Sequence, residues 1–149
     1  MSRIKQKLLR FCFDYVDEKI AVSKKAMENA QREANLETKS SAGDKYETGR
    51  SMMQLEKQKY ALHLKEAHRM RASLETIDAT RICEQVEKGS VVETDGGHFF
   101  FSIAAGQVDL DLVYRCISLD SPLGQALNAT EEGDIVVFRG KEIEILSIS

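Results

Sequence analysis

Two long runs of mixed charged and apolar residues meet at the octapeptide SSAGDKYE, residues 40–47. Its residue types favour a reversal of the chain. Gly43 tolerates backbone angles that other residues avoid, and Ser40, Ser41 and Asp44 can cap the exposed amides at the start of a helix. We therefore predict that one helix ends before this stretch, that a second begins at about Asp44, and that residues 37–47 form the tip between them.

The run before the tip has the period of an amphipathic helix. Between about Arg3 and Leu36 there is no proline or glycine, and apolar residues recur at steps of three and four. The predicted face consists of Ile4, Leu8, Cys12, Tyr15, Val16, Ile20, Met27, Ala30 and Ala34. Since these side chains shrink to alanine towards Ala34, we expect the far end of the helix to pack closely but weakly.

The run after the tip, from about Asp44 to Ile77, has a period of seven. Its main seam consists of Tyr46, Met53, Tyr60, Ala67 and Leu74, which is the pattern of a coiled coil. The companion positions are Gly49 or Arg50, Glu56 or Lys57, His63 or Leu64, Met70, and Ile77. Two helices joined by a short turn pack antiparallel. We predict an antiparallel coiled-coil hairpin over residues 1–78.

The period changes after residue 81, where strand patterns begin. We predict a β-hairpin from residues 90–94 and 98–103, a strand over 108–112 that continues towards Tyr114, a short helix that starts at Ser121-Pro122, and two closing strands at 135–138 and 143–146. The fold class is therefore α+β, with a compact domain over residues 83–149 that contains a mostly antiparallel sheet and a short helix.

Composition and charge exclude several classes of protein. The net charge of -3 argues against a general nucleic-acid coat. Cys12, Cys83 and Cys116 are far apart in sequence and lack CxxC spacing, so they suggest neither a disulfide framework nor a zinc site. No segment approaches the roughly 18 to 20 apolar residues of a membrane span. We expect a cytoplasmic protein with no membrane partner.

The segment ISLDSPLGQAL, residues 117–127, with EGDIV at residues 132–136, resembles the C-terminal signature of the Gre transcript-cleavage factors. In that family the segment I-S-x-x-S-P-[IL]-G-x-A-L precedes a G-D-x-V strand in an FKBP-like domain. The resemblance implies that residues 83–149 form an FKBP-like domain that docks on a polymerase.

The Gre tip carries an aspartate and a glutamate spaced as D-x-x-E, which matches Asp44 and Glu47. The resemblance implies that the hairpin enters the secondary channel of bacterial RNA polymerase, where Asp44 and Glu47 act as catalytic residues and as ligands of Mg²⁺. The backtracked 3′ end of the nascent RNA is then hydrolysed by the polymerase's own active site. The protein is accordingly expected to be a cofactor of cleavage and not an enzyme by itself.

The chemistry of the two carboxylates agrees with this role, and a second interpretation stays open. Magnesium prefers oxygen ligands and is usually held by one or two carboxylates together with waters and phosphates, and two carboxylates three residues apart lie on one helical face. The same pair also resembles a capping box. The tip departs from the family at Lys45, Tyr46 and residues 48–50. The alternative is a non-catalytic regulator of the secondary channel, or a coiled-coil interaction protein without cleavage activity.

Three other signals have less specific interpretations. Phe99, Phe100 and Phe101 can stack on bases, but a triple aromatic in a strand is more often core. His63 and His68, five residues apart, do not share a face at metal spacing. Cys116 and His98 are of the types used as nucleophile and base, but no oxyanion motif accompanies them.

Overall fold

The computed structural model describes the backbone of residues 2–40 and 44–149, and the side chains of residues 3–36, 49 and 51–149. The chain forms two compact units. The helix-pair unit is Val16–Arg71, and the sheet unit combines Met1–Tyr15 with Ala72–Ser149. The division into domains at residues 78 and 83 stays a prediction.

The two predicted helices are present. Helix α1 is Ser2–Ser40 and helix α2 is Asp44–Glu75. The prediction that turn structure begins at residue 37 is wrong, because the backbone remains helical to Ser40. Residues 37–40 contain neither glycine nor proline, and their modest cost in helix propensity does not end an established helix.

The predicted face of α1 is protected from solvent. Leu8, Cys12, Val16, Ala30 and Ala34 are buried; Ile4, Tyr15, Ile20 and Met27 are half-buried. Among the described side chains of α1, the polar residues Lys5 and Ser23 are buried as well.

Within the helix-pair unit, the two helices run antiparallel. Arg71 Nε lies 3.5 Å from Asp17 Oδ1, and Lys57 Nζ donates a hydrogen bond of 2.6 Å to Gln31 Oε1. A later residue of α2 therefore lies opposite an earlier residue of α1.

The protected positions of α2 follow one another at alternating steps of four and three residues. Met53, Lys57, Tyr60 and Leu64 are half-buried and Ala67 is buried, whereas Glu56 and His63 are exposed. The companion seam therefore uses Lys57 and Leu64. The finer description of the pair as a coiled coil stays a prediction.

The sheet unit contains a mixed six-stranded sheet and one short helix. The strands are β1 Val91–Thr94, β2 Gly97–Phe101, β3 Gly106–Asp109, β4 Val113–Ile117, β5 Ile135–Phe138 and β6 Lys141–Ile148, and helix α3 is Pro122–Leu127. Their order in the sheet is β3-β4-β2-β1-β6-β5. The pairing of β2 with β4 is parallel, and the other pairings are antiparallel. The α+β class and the mostly antiparallel sheet are thus confirmed, while the FKBP-like assignment stays a prediction.

One predicted strand is wrong. Residues 108–112 do not form a single strand, because the Leu110 amide bonds to the Leu112 carbonyl at 3.0 Å and the chain turns there. Strands β3 and β4 pair antiparallel on either side of this turn. Aspartate favours turns as well as solvent-facing strand positions, so the alternating pattern could not separate a strand from a short hairpin. The predicted hairpin around Asp95 and Gly96, the helix after Ser121 and the closing strand pair are confirmed.

The two faces of the sheet have different coverings. One face builds the main core, whose buried members are Cys83, Val86, Val92, Phe99, Phe101, Leu127, Ile145 and Ile148. On the other face, Phe100 pairs with Cys116 and His98 with Tyr114. The first part of α1 packs on this second face, where Cys12 Sγ lies 3.3 Å from Ser102 Oγ. Among the described residues, no helix combines the length and the apolar character needed to cross a membrane.

Candidate functional site

The predicted tip residues occupy the first turn of α2. This helix begins at Asp44, so Glu47 follows it within the same turn. Residues three apart on a helix share a face. The side chains of both residues lie outside the described part of the chain, and their role as Mg²⁺ ligands stays a prediction. Across the side chains that are described, no group of three or more histidine, cysteine, aspartate or glutamate residues is arranged to hold a metal ion.

The segment that carries the family resemblance is a capped turn before α3. Ser121 has extended backbone angles, φ -65° and ψ 157°, and its Oγ accepts a hydrogen bond from the Gly124 amide. The same hydroxyl donates to the Ser118 carbonyl at 2.6 Å. Pro122 occupies the first helical turn, where a missing amide proton has no cost.

Further hydrogen bonds hold the same turn. Ser118 Oγ accepts from the Asp120 amide at 3.1 Å, and Gln125 Nε2 donates to the Asp120 carbonyl at 2.9 Å. A Cβ atom at position 124 would lie 2.6 Å from Leu119 Cα, so the backbone fits there only with glycine. Asp120, Pro122 and Gln125 remain exposed. The segment therefore builds a rigid turn that presents these three residues to solvent.

His98 belongs to a polar cluster on the second sheet face. His98 Nε2 lies 3.6 Å from Glu93 Oε1, and Ser147 Oγ donates to Glu93 Oε2 at 3.1 Å. The rings of His98 and Tyr114 meet edge to face at 5.5 Å. Burial, followed by the nearby charges of Glu93 and Asp111, raises the pKa of Tyr114. Among the described residues, His98 contacts Glu93 and Tyr114 and makes no hydrogen bond to Cys116. The two residues are therefore not arranged as a nucleophile and its base.

The remaining sequence signals have structural explanations. Phe99, Phe100 and Phe101 are all buried, so the core interpretation is confirmed and none of them is available to stack on bases. His63 and His68 are exposed on α2. The ring of His63 meets that of Tyr60 edge to face at 5.9 Å.

A buried amine was missed by the sequence analysis. Lys5 is only 3% exposed. Its Nζ donates to the Arg81 carbonyl at 2.7 Å and lies 3.8 Å from Cys83 Sγ. Burial, more than any other cause, raises the pKa of the Cys83 thiol, while the charge of Lys5 opposes that shift. The sequence did contain a signal for this burial, because Lys5 precedes Leu8 by three residues and Cys12 by seven, which places it on the same face of α1.

A scan against models of known protein families gives no match, and a search of curated proteins gives no significant match. The resemblance to the Gre factors therefore depends on the residues quoted above.

Proposed function

We propose that this protein is a Gre-like elongation factor that binds bacterial RNA polymerase and stimulates cleavage of backtracked RNA. In this proposal an antiparallel coiled-coil hairpin enters the secondary channel, and Asp44 and Glu47 are brought to Mg²⁺ at the active site of the polymerase. The observation that carries the proposal is the position of Asp44 as the first residue of α2, a helix of 32 residues that follows one of 39.

The chemistry of the two side chains suits this role. Aspartate and glutamate supply the oxygen donors that Mg²⁺ prefers, and two carboxylates leave most of its octahedral sites to waters and phosphates. The bound ion would activate the attacking water and stabilise the leaving oxygen. This chain would bind the polymerase, orient the carboxylates through the first turn of α2, and leave the hydrolysis to its partner. Both the Mg²⁺ site and the contact with the 3′ end of the RNA would therefore be shared.

The capped turn before α3 supports a docking role for the FKBP-like domain that we propose for residues 83–149. Six hydrogen bonds hold residues 118–125 in one conformation. A preordered loop loses little conformational freedom on binding. Asp120, Pro122 and Gln125 are its exposed members, and we assign them the contact with the polymerase.

The direct test is cleavage of stalled, backtracked complexes of polymerase from the source organism. Wild-type protein should stimulate cleavage, and the double substitution Asp44→Asn/Glu47→Gln should reduce the stimulated rate at least about tenfold, since disturbing even the partners of a metal ligand costs about 10–100-fold. The matched control is Glu56→Gln, which removes an exposed carboxylate of the same helix and should keep full activity. A double variant that cleaves as fast as wild type contradicts the assignment of the tip.

One observation favours the non-catalytic alternative. Acidic residues in the first turn of a helix stabilise it through the helix dipole, so Asp44 and Glu47 have a structural use wherever the protein acts. A channel regulator without cleavage activity would bind the polymerase, would not stimulate cleavage, and would lose only helix stability in the double variant. Measuring polymerase binding beside cleavage separates the two functions.

A further inference from the structure

Two cysteines that are 104 positions apart in sequence are both buried where the first part of α1 covers the second face of the sheet. Cys12 lies on α1 and Cys116 on β4, and both are free thiols. The pKa of each thiol is shifted by hydrogen bonding with the other. The exposed fractions are 0% for Cys12 and 1% for Cys116.

The strand register independently places Cys12 on the sheet face that carries Cys116. Phe100 pairs with Cys116 in the parallel ladder of β2 and β4, and the Ser102 amide continues it by donating to the Ile117 carbonyl at 2.8 Å. Because side chains alternate along a strand, Phe100, Ser102 and Cys116 point to one face. Cys12 Sγ reaches that face, since it lies 3.3 Å from Ser102 Oγ.

The two thiols differ in how readily they lose a proton. The hydrogen bond from Cys116 lowers the pKa of Cys12, desolvation opposes this, and the Ser102 hydroxyl adds to the lowering. The hydrogen bond to Cys12, followed by desolvation, raises the pKa of Cys116. Cys12 makes the first attack in this scheme, because the Ser102 hydroxyl lies 3.3 Å from its sulfur and can stabilise the thiolate, which is the reactive form.

Other uses of the pair fit the surroundings less well. A structural metal site generally needs four ligands, and the described side chains hold no cluster of three or more metal-ligating residues. A catalytic cysteine needs a neighbouring base, whereas the nearest histidine in the ladder, His98, is directed to Glu93. Two adjacent thiols with no base and no third ligand are suited to oxidation.

We propose that Cys12 and Cys116 form a thiol oxidation site that takes a hydroperoxide as oxidant and closes to a reversible disulfide between α1 and β4. The Cys12 thiolate attacks one peroxide oxygen, so that an S–O bond forms, the O–O bond breaks, and the leaving hydroxide is protonated to water. The Cys116 sulfur then attacks Cys12 Sγ, an S–S bond forms, and the hydroxyl leaves with the Cys116 proton as a second water.

The electrons balance in this sequence. Each sulfur is oxidised by one electron and each oxygen of the peroxide is reduced by one, so two thiols and one hydrogen peroxide give one disulfide and two waters. Closure requires the two sulfurs to approach to about 2.05 Å, and a dithiol reductant reverses it. Since both sulfurs are buried, the oxidant reaches them when the first part of α1 separates from the sheet.

The test uses the full chain, hydrogen peroxide as the probe, and alkylation of the remaining thiols after denaturation. Wild-type protein should lose two of its three thiols and about 2 Da in mass, and a proteolytic digest should contain one peptide pair that links Cys12 to Cys116. Dithiothreitol should restore all three thiols. The oxidised protein should unfold at a temperature at least about 4 °C higher than the reduced protein, because the link closes a loop of more than 100 residues.

Single variants assign the two roles and supply the control. Cys83→Ser should oxidise as wild type does, because Cys83 lies outside the pair. Cys116→Ser should stop at the sulfenic acid of Cys12, which dimedone traps, and Cys12→Ser should give neither the disulfide nor the adduct. The wild-type and Cys83→Ser results alone decide the proposal if either other variant fails to fold.

Three results would overturn it. The first is retention of all three thiols at peroxide concentrations that oxidise glutathione completely. The second is a disulfide that involves Cys83 or joins two chains. The third is closure no faster than global unfolding, measured by hydrogen exchange of the β2 and β4 amides, since the bond would then form in the unfolded chain.

Discussion

The sheet unit and the helix-pair unit bury different kinds of side chain. In Met1–Tyr15 and Ala72–Ser149, the fully buried residues include Leu8, Leu74, Phe100, Phe101, Leu127 and Ile145. Between Val16 and Arg71, the described buried residues are Val16, Ser23, Ala30, Ala34 and Ala67. Burial of apolar area contributes about 25 cal/mol per Å². Large side chains therefore stabilise the sheet unit, whereas close approach of small residues and helix propensity stabilise the helix pair.

The smaller buried residues of the helix-pair unit affect how easily it opens locally. Segments with few buried apolar contacts open locally at lower free energy than core strands do. The unit that holds Asp44 and Glu47 is the one with small buried residues. A helix pair that enters a channel and leaves it again needs a stable helical backbone more than a large core. The small buried residues of Val16–Arg71 are consistent with the proposed function.

The largest expected effect is in the sheet unit. Phe101→Ala should lower the free energy of unfolding by about 3–5 kcal/mol, because it removes a fully buried ring from a packed core. Urea denaturation followed by circular dichroism measures the change. The control is Val137→Ala on the edge strand β5, where the side chain is 66% exposed, and it should cost less than about 0.5 kcal/mol. Similar costs for the two variants would contradict the contrast in burial.

An intermediate effect is expected in the helix pair. Ala67 is 2% exposed on α2, so Ala67→Leu would force extra volume between closely packed helices and should destabilise by about 1–3 kcal/mol. Ala61→Leu places the same side chain at an exposed position of the same helix and should be nearly neutral. A neutral or stabilising Ala67→Leu would show that the two helices are not in close contact at Ala67. Helical circular dichroism during thermal unfolding gives both values.

The smallest effect concerns Asp78, an exposed residue of the sheet unit. The Thr80 hydroxyl donates to Asp78 Oδ1 at 2.6 Å and the Thr80 amide donates at 2.9 Å. These two bonds, the hydroxyl first, lower the pKa of Asp78 below its usual 3.8. A depressed folded pKa contributes stability above the unfolded pKa, and this contribution is lost as the pH falls through the folded value.

The comparison for Asp78 is with the variant Asp78→Ala. Wild type should unfold at a slightly higher temperature than Asp78→Ala from neutral pH down to about pH 5. The gap should narrow as the pH falls below about 4 and close below the folded pKa of Asp78. Differential scanning calorimetry across this range measures the gap. A constant difference at all pH values would show that the two hydrogen bonds do not depend on the charge of the carboxylate.

Local patterns predicted most of the elements correctly. The steps of three and four on α1, the steps of seven on α2 and the Ser121-Pro122 start of α3 each depend on residues within a few turns of one another. The errors also arose locally. The pattern at 108–112 suits both a strand and the β3–β4 hairpin, and polar residues 37–40 suit both a turn and the end of a helix. The start of α2 at Asp44, which positions the proposed tip, was predicted correctly for the same local reason.

The sequence by itself determined the α+β class, the two long helices with a D-x-x-E segment at the start of the second, and the capped turn of residues 117–127. These features follow from helix period, strand alternation and caps, which act between residues that are near in the chain. Only the tertiary structure decided which distant residues meet. Cys12 reaches Ser102 on the sheet face that carries Cys116, Lys5 reaches the Arg81 carbonyl, and β2 pairs in parallel with β4. These contacts depend on how finished elements pack, and packing complementarity leaves no periodic signal in the sequence.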